Sequence, residues 1–586
     1  MDAQTPAQTQ GKRRFLLLLL TAGLAVRLAH WWAVRGEPFF AWLAMDSQEY
    51  DRWAQGIAAG DWLGSQVFFQ APLYPYLLAI LYKIFGRSLD AVYLAQIGLA
   101  VAGCWALYRA GREMGGERAG LAAAGLAAFY GPFVFHDVHL LKESLAVSVT
   151  CFLLWALATR RHWLAAGLLL GVLALLRENA LLLVPFLLPL AAGKGFLRRS
   201  AALAGGLVLA LLPVAIRNGI VGGDFLPTTF QGGVNFYIGN NPDADGTYRP
   251  IVPGKQIPAL ERREPVRVAE RELGRELTPS EVSSFWMGKA LAWAGDHPGG
   301  FLRLQVRKLG MFWNWYEWPD AVDYYWVRWR SPALRWAAPV EFGAVTLLAL
   351  IGLWMAWRNP RRNPGPFAPA LLFALGWMLS TIVFFLFSRY RLPAVPALML
   401  LAAVPLARLS GRKLIAVPVI ILLPHLAGFE PRLDLVHYNL GRIEDERGNP
   451  EAAREHYKAA FILNPRDFLA CLNLGNHAAR RGDWLTAFRF YSRAEKLEPG
   501  SDDVQSNLGG VHLAMGQLPE AEARFDRALA LNPQNVSALH NKALLRLRQG
   551  DAEGARELNR RLLEIDPENP AGLRLRQRLD DTGRNS

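Results

Sequence analysis

The chain has 586 residues, 52% of them hydrophobic and only 19% charged, and a formal net charge of +14. That length exceeds one ordinary core and that composition excludes an ordinary soluble domain, so a membrane part plus at least one further domain is expected. The basic surplus does not imply a nucleic-acid partner, because many Lys and Arg sit in short loops between apolar runs, as the positive-inside bias produces.

At the N-terminus Lys12, Arg13 and Arg14 precede the apolar run Phe15–Val26. The apolar character continues to Val34 with no small-x-small cleavage site, so an uncleaved span after a cytoplasmic tail, 1–14, is expected rather than a signal peptide. At about 20 apolar residues per span, further candidates lie at 89–108, 119–135, 143–159, 163–176, 179–193, 201–217, 338–357, 367–387, 392–409 and 414–429. With the first, these make about 11 spans. With the N-terminus inside, every inside loop is basic: Arg109, Arg112 and Arg118; Arg160 and Arg161; Lys194, Arg198 and Arg199; Arg358, Arg361 and Arg362; Arg408, Arg412 and Lys413. The segments 35–88, 136–142 and 218–337 then fall outside. The odd span count puts everything after 429 outside as well.

Within 35–88, Pro72–Phe85 is apolar but short and opens on two prolines, as in a helix lying in the interface. Within 218–337, Thr278-Pro279-Ser280-Glu281 is a capping-box signature. An aromatic cluster follows: Phe312, Trp313, Trp315, Tyr316, Trp318, Tyr324, Tyr325, Trp326 and Trp329. It reads first as an interfacial aromatic belt, and second as a platform for stacking on sugar rings.

From 430 onward the chain becomes polar and repeats every 34 residues. Gly441, Gly475, Gly509 and Ala543 keep that spacing, as do Gly448, Gly482, Gly516 and Gly550, and Ala453, Ala487, Ala521 and Ala555. Pro465, Pro499, Pro533 and Pro567 do the same. Tyr457, Tyr491 and Phe525 fill an aromatic position that Asn559 breaks. This is the tetratricopeptide pattern, so 430–586 is expected to be an α-solenoid of four repeats. Asn559 and Leu562 mark a terminal capping unit. Such arrays bind proteins or peptides, or pack against partners.

Charged groups at span ends are candidates for chemistry, because burying them near lipid is costly. On the outer face these are Asp46, Glu49 and Asp51; His136, Asp137, His139, Lys142 and Glu143; Arg177 and Glu178; Arg217; and Arg389 and Arg391. Carboxylates suit activation of an acceptor and arginines suit phosphate. A transporter would gather similar charges. His136 and His139 with Asp137 leave room for a divalent metal, although ordinary loop hydrogen bonding is the commoner use, and no metal ligand is assigned. Cys104, Cys151 and Cys471 have no metal or disulfide spacing.

Asp46-Ser47-Gln48-Glu49-Tyr50, followed by Ala71-Pro72-Leu73-Tyr74-Pro75-Tyr76, resembles the first outer loop of the glycosyltransferase-C superfamily. The likeness is to family 39 and its relatives, the protein O-mannosyltransferases and aminoarabinose transferases. Leu140-Leu141-Lys142-Glu143-Ser144-Leu145 resembles the second acidic motif, and Arg177-Glu178-Asn179 the basic turn toward the lipid phosphate. Arg217-Asn218, Gly233–Asn241 and Ser388-Arg389-Tyr390-Arg391-Leu392-Pro393 resemble the bacterial branch. The resemblance spans most of 15–410. It implies an all-α, polytopic domain over 15–429 that transfers sugar from a polyprenyl-phosphate donor at the outer face of a bacterial inner membrane, with the repeat array periplasmic. Asp46 and Glu143 would be catalytic. Arg177, Arg391, Arg389, Lys308 and Tyr74 would bind substrate, the arginines and Lys308 through phosphate. The acceptor would be a protein or an envelope glycan or lipid.

There are departures from the family. Ser47 stands where the protein mannosyltransferases carry Glu, and no β-trefoil insert is present. The added repeats resemble certain animal endoplasmic-reticulum O-mannosyltransferases. Two other readings compete: a non-catalytic scaffold of an envelope-polysaccharide machine, and a lipid-linked-sugar transporter.

Overall fold

The structure, a computed structural model, describes residues 6–252, 258–358, 365–409 and 415–584. Arg361, Arg362, Arg412 and Lys413, expected in basic loops, lie outside the described residues. Among those described the chain is helical, and the one β feature is an isolated parallel bridge between Tyr130 and Val340. The chain divides into two compact units: Met1–Arg249 with Ile257–Pro431, and Pro250–Gln256 with Arg432–Ser586.

In the first unit, 5 helices among the described residues are long and apolar enough to cross a membrane: Gln10–Val34, Leu89–Gly115, Phe196–Gly222, Gly365–Ile382 and Ser388–Arg408. Shorter apolar helices occupy most of the other expected spans: Glu143–Thr159, Trp163–Ala174, Glu178–Ala191, Phe342–Met355 and Ala416–Ala427. The run expected at 119–135 is broken, with a helix at Glu117–Ala128, a turn through Phe129 and Tyr130, and a second helix at Gly131–His136. Pro132 at the second helical position fixes that new start. The first helix begins at Pro6, so Lys12, Arg13 and Arg14 form part of it rather than a separate tail.

Small residues set the helix packing. A Cβ at Gly167 would lie 1.9 Å from the Leu203 carbonyl oxygen, and one at Gly206 would lie 2.1 Å from that of Leu164. The Trp163–Ala174 and Phe196–Gly222 helices therefore touch backbone to backbone. Apolar helices in lipid gain little from burying apolar surface, so close approach and dispersion hold them together.

The repeat unit pairs helices at Leu433–Glu446 and Pro450–Leu463, Phe468–Arg480 and Trp484–Leu497, Asp502–Ala514 and Leu518–Leu531, and Val536–Arg548 and Ala552–Ile565, closed by Pro570–Arg584. The spacing has a steric cause. A Cβ at Gly441, Gly475 or Gly509 would sit 2.8, 2.4 or 2.5 Å from the ring of Tyr457, Tyr491 or Phe525. Gly448, Gly482, Gly516 and Gly550 all adopt positive φ in the turn within each pair, where a side chain would be strained. In the last repeat Asn559 replaces the ring and donates to the Gly572 carbonyl at 3.0 Å, tying down the closing helix.

Candidate active site

The site forms where five distant segments of the first unit meet. Asp46 begins the Asp46–Ala58 helix. The residue before it, Met45, holds φ 52° and ψ −128°, an arrangement that costs a non-glycine residue about 1–3 kcal/mol. This strained turn aims the Asp46 carboxylate into a cleft enclosing about 880 Å³. The long 218–337 segment supplies one wall through Trp318, Asp320 and Tyr324, and the 136–141 turn supplies the other.

Arg389 is the hub. Its Nη2 lies 2.9 Å from Asp46 Oδ2 and 2.8 Å from Asp320 Oδ2, and its Nη1 lies 3.8 Å from Glu143 Oε1. Glu143 opens the Glu143–Thr159 helix and is 1% exposed. Its main partner is Arg177, which leaves the end of the Trp163–Ala174 helix at extended φ −145°. Tyr390 sits against both cations, with the Arg177 guanidinium 4.4 Å and the Arg389 guanidinium 5.3 Å from its ring centroid. Asp46, Glu143, Arg177 and Arg389, read from the sequence as separate motifs, are thus one charge network. Burial pushes the Asp320 carboxyl above the ordinary aspartate range, against the downward pull of Arg389.

Other expected site residues lie elsewhere. Arg391 is 1% exposed and does not line the cleft. Residues two apart on a helical turn point in nearly opposite directions, so Arg391 faces away from the cleft that Arg389 lines. Arg391 instead pairs with Glu317 at 2.9 Å and donates to the carbonyls of Phe312, Asn314 and Tyr316. It pins the aromatic segment. Tyr74 is also buried, with its hydroxyl donating to Gln96 at 2.7 Å and its ring edge-on to Tyr50. Lys308 is fully buried on the Pro298–Phe312 helix, donates to Asn240 Oδ1 at 3.1 Å, and is pushed down to about 7 by burial. The aromatic cluster divides: Phe312, Tyr324, Tyr325 and Trp326 are buried, whereas Trp318 and Trp329 are exposed.

The three residues that left room for a metal do not converge. His136 and His139 line the cleft, but Asp137 turns away to Arg27 at 2.7 Å and to the Ser144 hydroxyl. His139 Nδ1 is taken by the Phe135 carbonyl. Among the described residues there is no group of three or more His, Cys, Asp or Glu placed to hold a metal ion.

Two contributors lay outside the sequence reading, and a third was given no role of its own there. Asp320, in Trp318-Pro319-Asp320, was hidden inside an aromatic run that reads as a belt. Glu261, on the Pro258–Leu273 helix, accepts from the Tyr248 hydroxyl and is raised to about 7 by burial, with Asp46 and Asp320 adding to the rise. Lys142 was noted only as one of a charged group. It is 7% exposed, lies close enough to Glu143, Glu178 and Asp46 to feel their charge, and is lowered to about 8 chiefly by burial. The guanidiniums of Arg177, Arg389 and Arg391 are each matched by a carboxylate. No ion pair within 4 Å is formed by Lys142 among the described residues.

Residues 70–217 match the family described as dolichyl-phosphate-mannose-protein mannosyltransferase. Residues 438–502 and 507–570 match one tetratricopeptide-repeat family, and 478–530 match another. Similar solved structures include pilF of Pseudomonas aeruginosa, at 22% identity over 29% of this chain and 75% of that one, TM-score 0.24. YrrB, titled a TPR protein with an unusual peptide-binding site, is 16% identical over 28% of this chain and 81% of that one, TM-score 0.23. A tetratricopeptide repeat protein from Parabacteroides merdae is 19% identical over 26% and 61%, TM-score 0.23. No curated protein matches the chain. The chain therefore carries a mannosyltransferase-type membrane glycosyltransferase segment together with tetratricopeptide repeats. The matched segment contains Glu143 and Arg177; Asp46, Asp320 and Arg389 lie beyond it and reach the same cleft through the fold.

Proposed function

We propose that the protein transfers a sugar from a polyprenyl-phosphate donor to an acceptor hydroxyl at the outer face of a bacterial inner membrane. What supports this is the joining of Asp46, Glu143, Arg177 and Arg389 from four segments into one charge network, with Asp46 and Arg389 lining the cleft and Glu143 and Arg177 inside the mannosyltransferase-like region. In the reaction an acceptor oxygen attacks the anomeric carbon and gives its proton to Asp46. The bond from that carbon to the phosphate oxygen breaks, and polyprenyl phosphate leaves with the electron pair. General-base catalysis of this kind contributes roughly 10²–10⁴-fold.

The cations stabilise the leaving phosphate. Lys142 meets it without first releasing a carboxylate. Arg389 can join by exchanging Asp46 or Asp320 for a phosphate oxygen. Glu143 holds Arg177 in place against Tyr390 and so acts as a positioning residue. The repeat array, on the same side of the membrane, recruits a protein acceptor or partner.

Transfer is measured in membranes supplied with polyprenyl-phosphate mannose, comparing wild type with Asp46→Asn at equal expression and folding. Loss of at least two decades of rate in the variant supports the assignment. Equal rates remove Asp46 from the mechanism. If neither transfers mannose or any other polyprenyl-phosphate sugar tried, the scaffold reading replaces the enzyme.

A further inference from the structure

A second pocket lies on the other flank of the Tyr324–Arg330 helix. Tyr324 faces the cleft, whereas Tyr325, Arg328 and Trp329 line this pocket, which encloses about 530 Å³. Arg335, on the π-helical turn Ala333–Ala337, is exposed and forms no ion pair among the described residues. Such turns recur at functional sites. Arg328 is held in place beneath it. Its Nη1 lies 2.7 Å from Glu341 and its Nη2 lies 2.9 Å from His425 Nδ1. His425 Nε2 donates to the Pro339 carbonyl at 2.9 Å, so the ring is neutral and accepts from Arg328. Two guanidiniums against one carboxylate leave the pocket with a net positive charge.

The surroundings select an amphiphile. His425 belongs to the apolar segment 416–427, whose Val419, Leu422 and Leu426 are 59%, 53% and 82% exposed. Trp329 and Trp336, at 52% and 73% exposed, flank the basic groups, as tryptophans do at a membrane interface. A positively charged pocket thus opens beside an apolar face with no protein cover among the described residues.

We infer that this pocket binds the phosphate headgroup of a membrane lipid, with the acyl chains lying along the 416–427 segment. Arg335 provides the uncommitted donors and Arg328 a pre-oriented second guanidinium. The site differs from the sugar-donor cleft in every basic residue it uses. One hydrogen bond links its wall to that of the cleft: the Tyr325 hydroxyl accepts from the backbone N–H of Glu317, a residue of the cleft wall.

The test is native mass spectrometry of the full-length protein in detergent, titrated with phosphatidylglycerol or phosphatidylcholine, with and without excess inorganic phosphate. Both lipids carry phosphate, but only phosphatidylglycerol carries net negative charge, so it should be retained preferentially. Arg335→Glu should weaken that retention by about tenfold or more, the loss of one charge-assisted contact. Arg335 is exposed, so this variant should fold; Arg328→Gln provides a second test. Retention of the lipid against inorganic phosphate supports the lipid as occupant. Displacement by inorganic phosphate makes the pocket a free-anion site and overturns the lipid assignment. Equal retention of both lipids, or undiminished phosphatidylglycerol retention in Arg335→Glu, overturns the site itself. None of these readouts depends on sugar transfer.

Discussion

Replacing Arg389 by Gln should move the pH dependence of transfer, not only its rate. Asp46 and Asp320 share the same guanidinium nitrogen, at 2.9 and 2.8 Å. Two like charges held about 6 Å apart repel by roughly 3 kcal/mol at an effective dielectric of about 20, or about two pKa units. In the wild type Arg389 offsets that repulsion. In Arg389→Gln the carboxylate pair should keep a shared proton to a pH about two units higher, so the acidic limb of the kcat/KM profile shifts up by that amount. At any pH below the shifted limb, activity should fall by about a hundredfold from protonation alone, further if Arg389 also meets the phosphate, and that part of the loss should be recovered as pH rises past the limb. Arg389→Lys retains the charge and should leave the limb nearly in place, although it loses the planar fork. The assay is the initial rate of sugar transfer by detergent-solubilised protein over the neutral and alkaline range, with thermal unfolding recorded at each pH. If the Gln profile superimposes on wild type after scaling, Arg389 does not set the charge state of the carboxylates and the reasoning fails.

Other consequences are equally direct. Glu143→Gln strands Arg177 as a buried charge and should cost about 3–5 kcal/mol of stability, while adding Arg177→Met to it should recover much of that loss in thermal unfolding. Glu261, raised to about 7, binds its proton more tightly folded than unfolded. Its destabilising effect is absent below about pH 4.5 and grows to roughly 3 kcal/mol as pH rises through 7; Glu261→Gln should flatten that fall, and an unchanged slope would show that another group carries it. Lys308→Met should leave the donor KM unchanged and stability equal or higher, because the ammonium is buried against Asn240 with no carboxylate beside it; a raised donor KM would restore Lys308 to the phosphate site. Gly475→Ala puts a Cβ 2.4 Å from the Tyr491 ring and should cost about 1–3 kcal/mol, read as earlier proteolytic cleavage within the repeat unit.

The repeat unit was the most legible part of the sequence, because its periodicity is set by local sterics: a glycine under a ring recurs wherever the same two helices cross. Apolar runs also marked the 5 helices long enough to cross a membrane among the described residues, but helix continuity was not legible. Phe129 and Tyr130 look as apolar as their neighbours, yet the chain turns there to bond with Val340. At the cleft, charged residues beside apolar runs stood out because their burial is costly. Asp320 did not, since it lies in a loop with no period, and only the folding of that loop onto Arg389 gives it a partner. Lys308 and Tyr74 have a chemistry that suits a substrate, but burial and hydrogen bonding commit them to the frame.

The four residues Ser388-Arg389-Tyr390-Arg391 explain why that loop ends where it does. Ser388 Oγ accepts from the Trp318 backbone N–H at 2.6 Å, and Arg391 gathers the carbonyls of Phe312, Asn314 and Tyr316 with the Glu317 carboxylate. The outer two side chains of this short turn thus grip the segment just before Asp320. The inner two, Arg389 and Tyr390, face the charge network. A helical turn brings residues three apart to one side and turns the two between them to the other, so one short motif can hold a loop with one face and present a cation with the other. The aromatic segment and Arg389 are therefore not independently movable. A change at Arg391 should act on transfer through the position of Asp320, raising and distorting the pH profile without any contact to the substrate, whereas a change at Arg389 removes a group that lines the cleft. That distinction separates two arginines which the sequence presents as a matched pair.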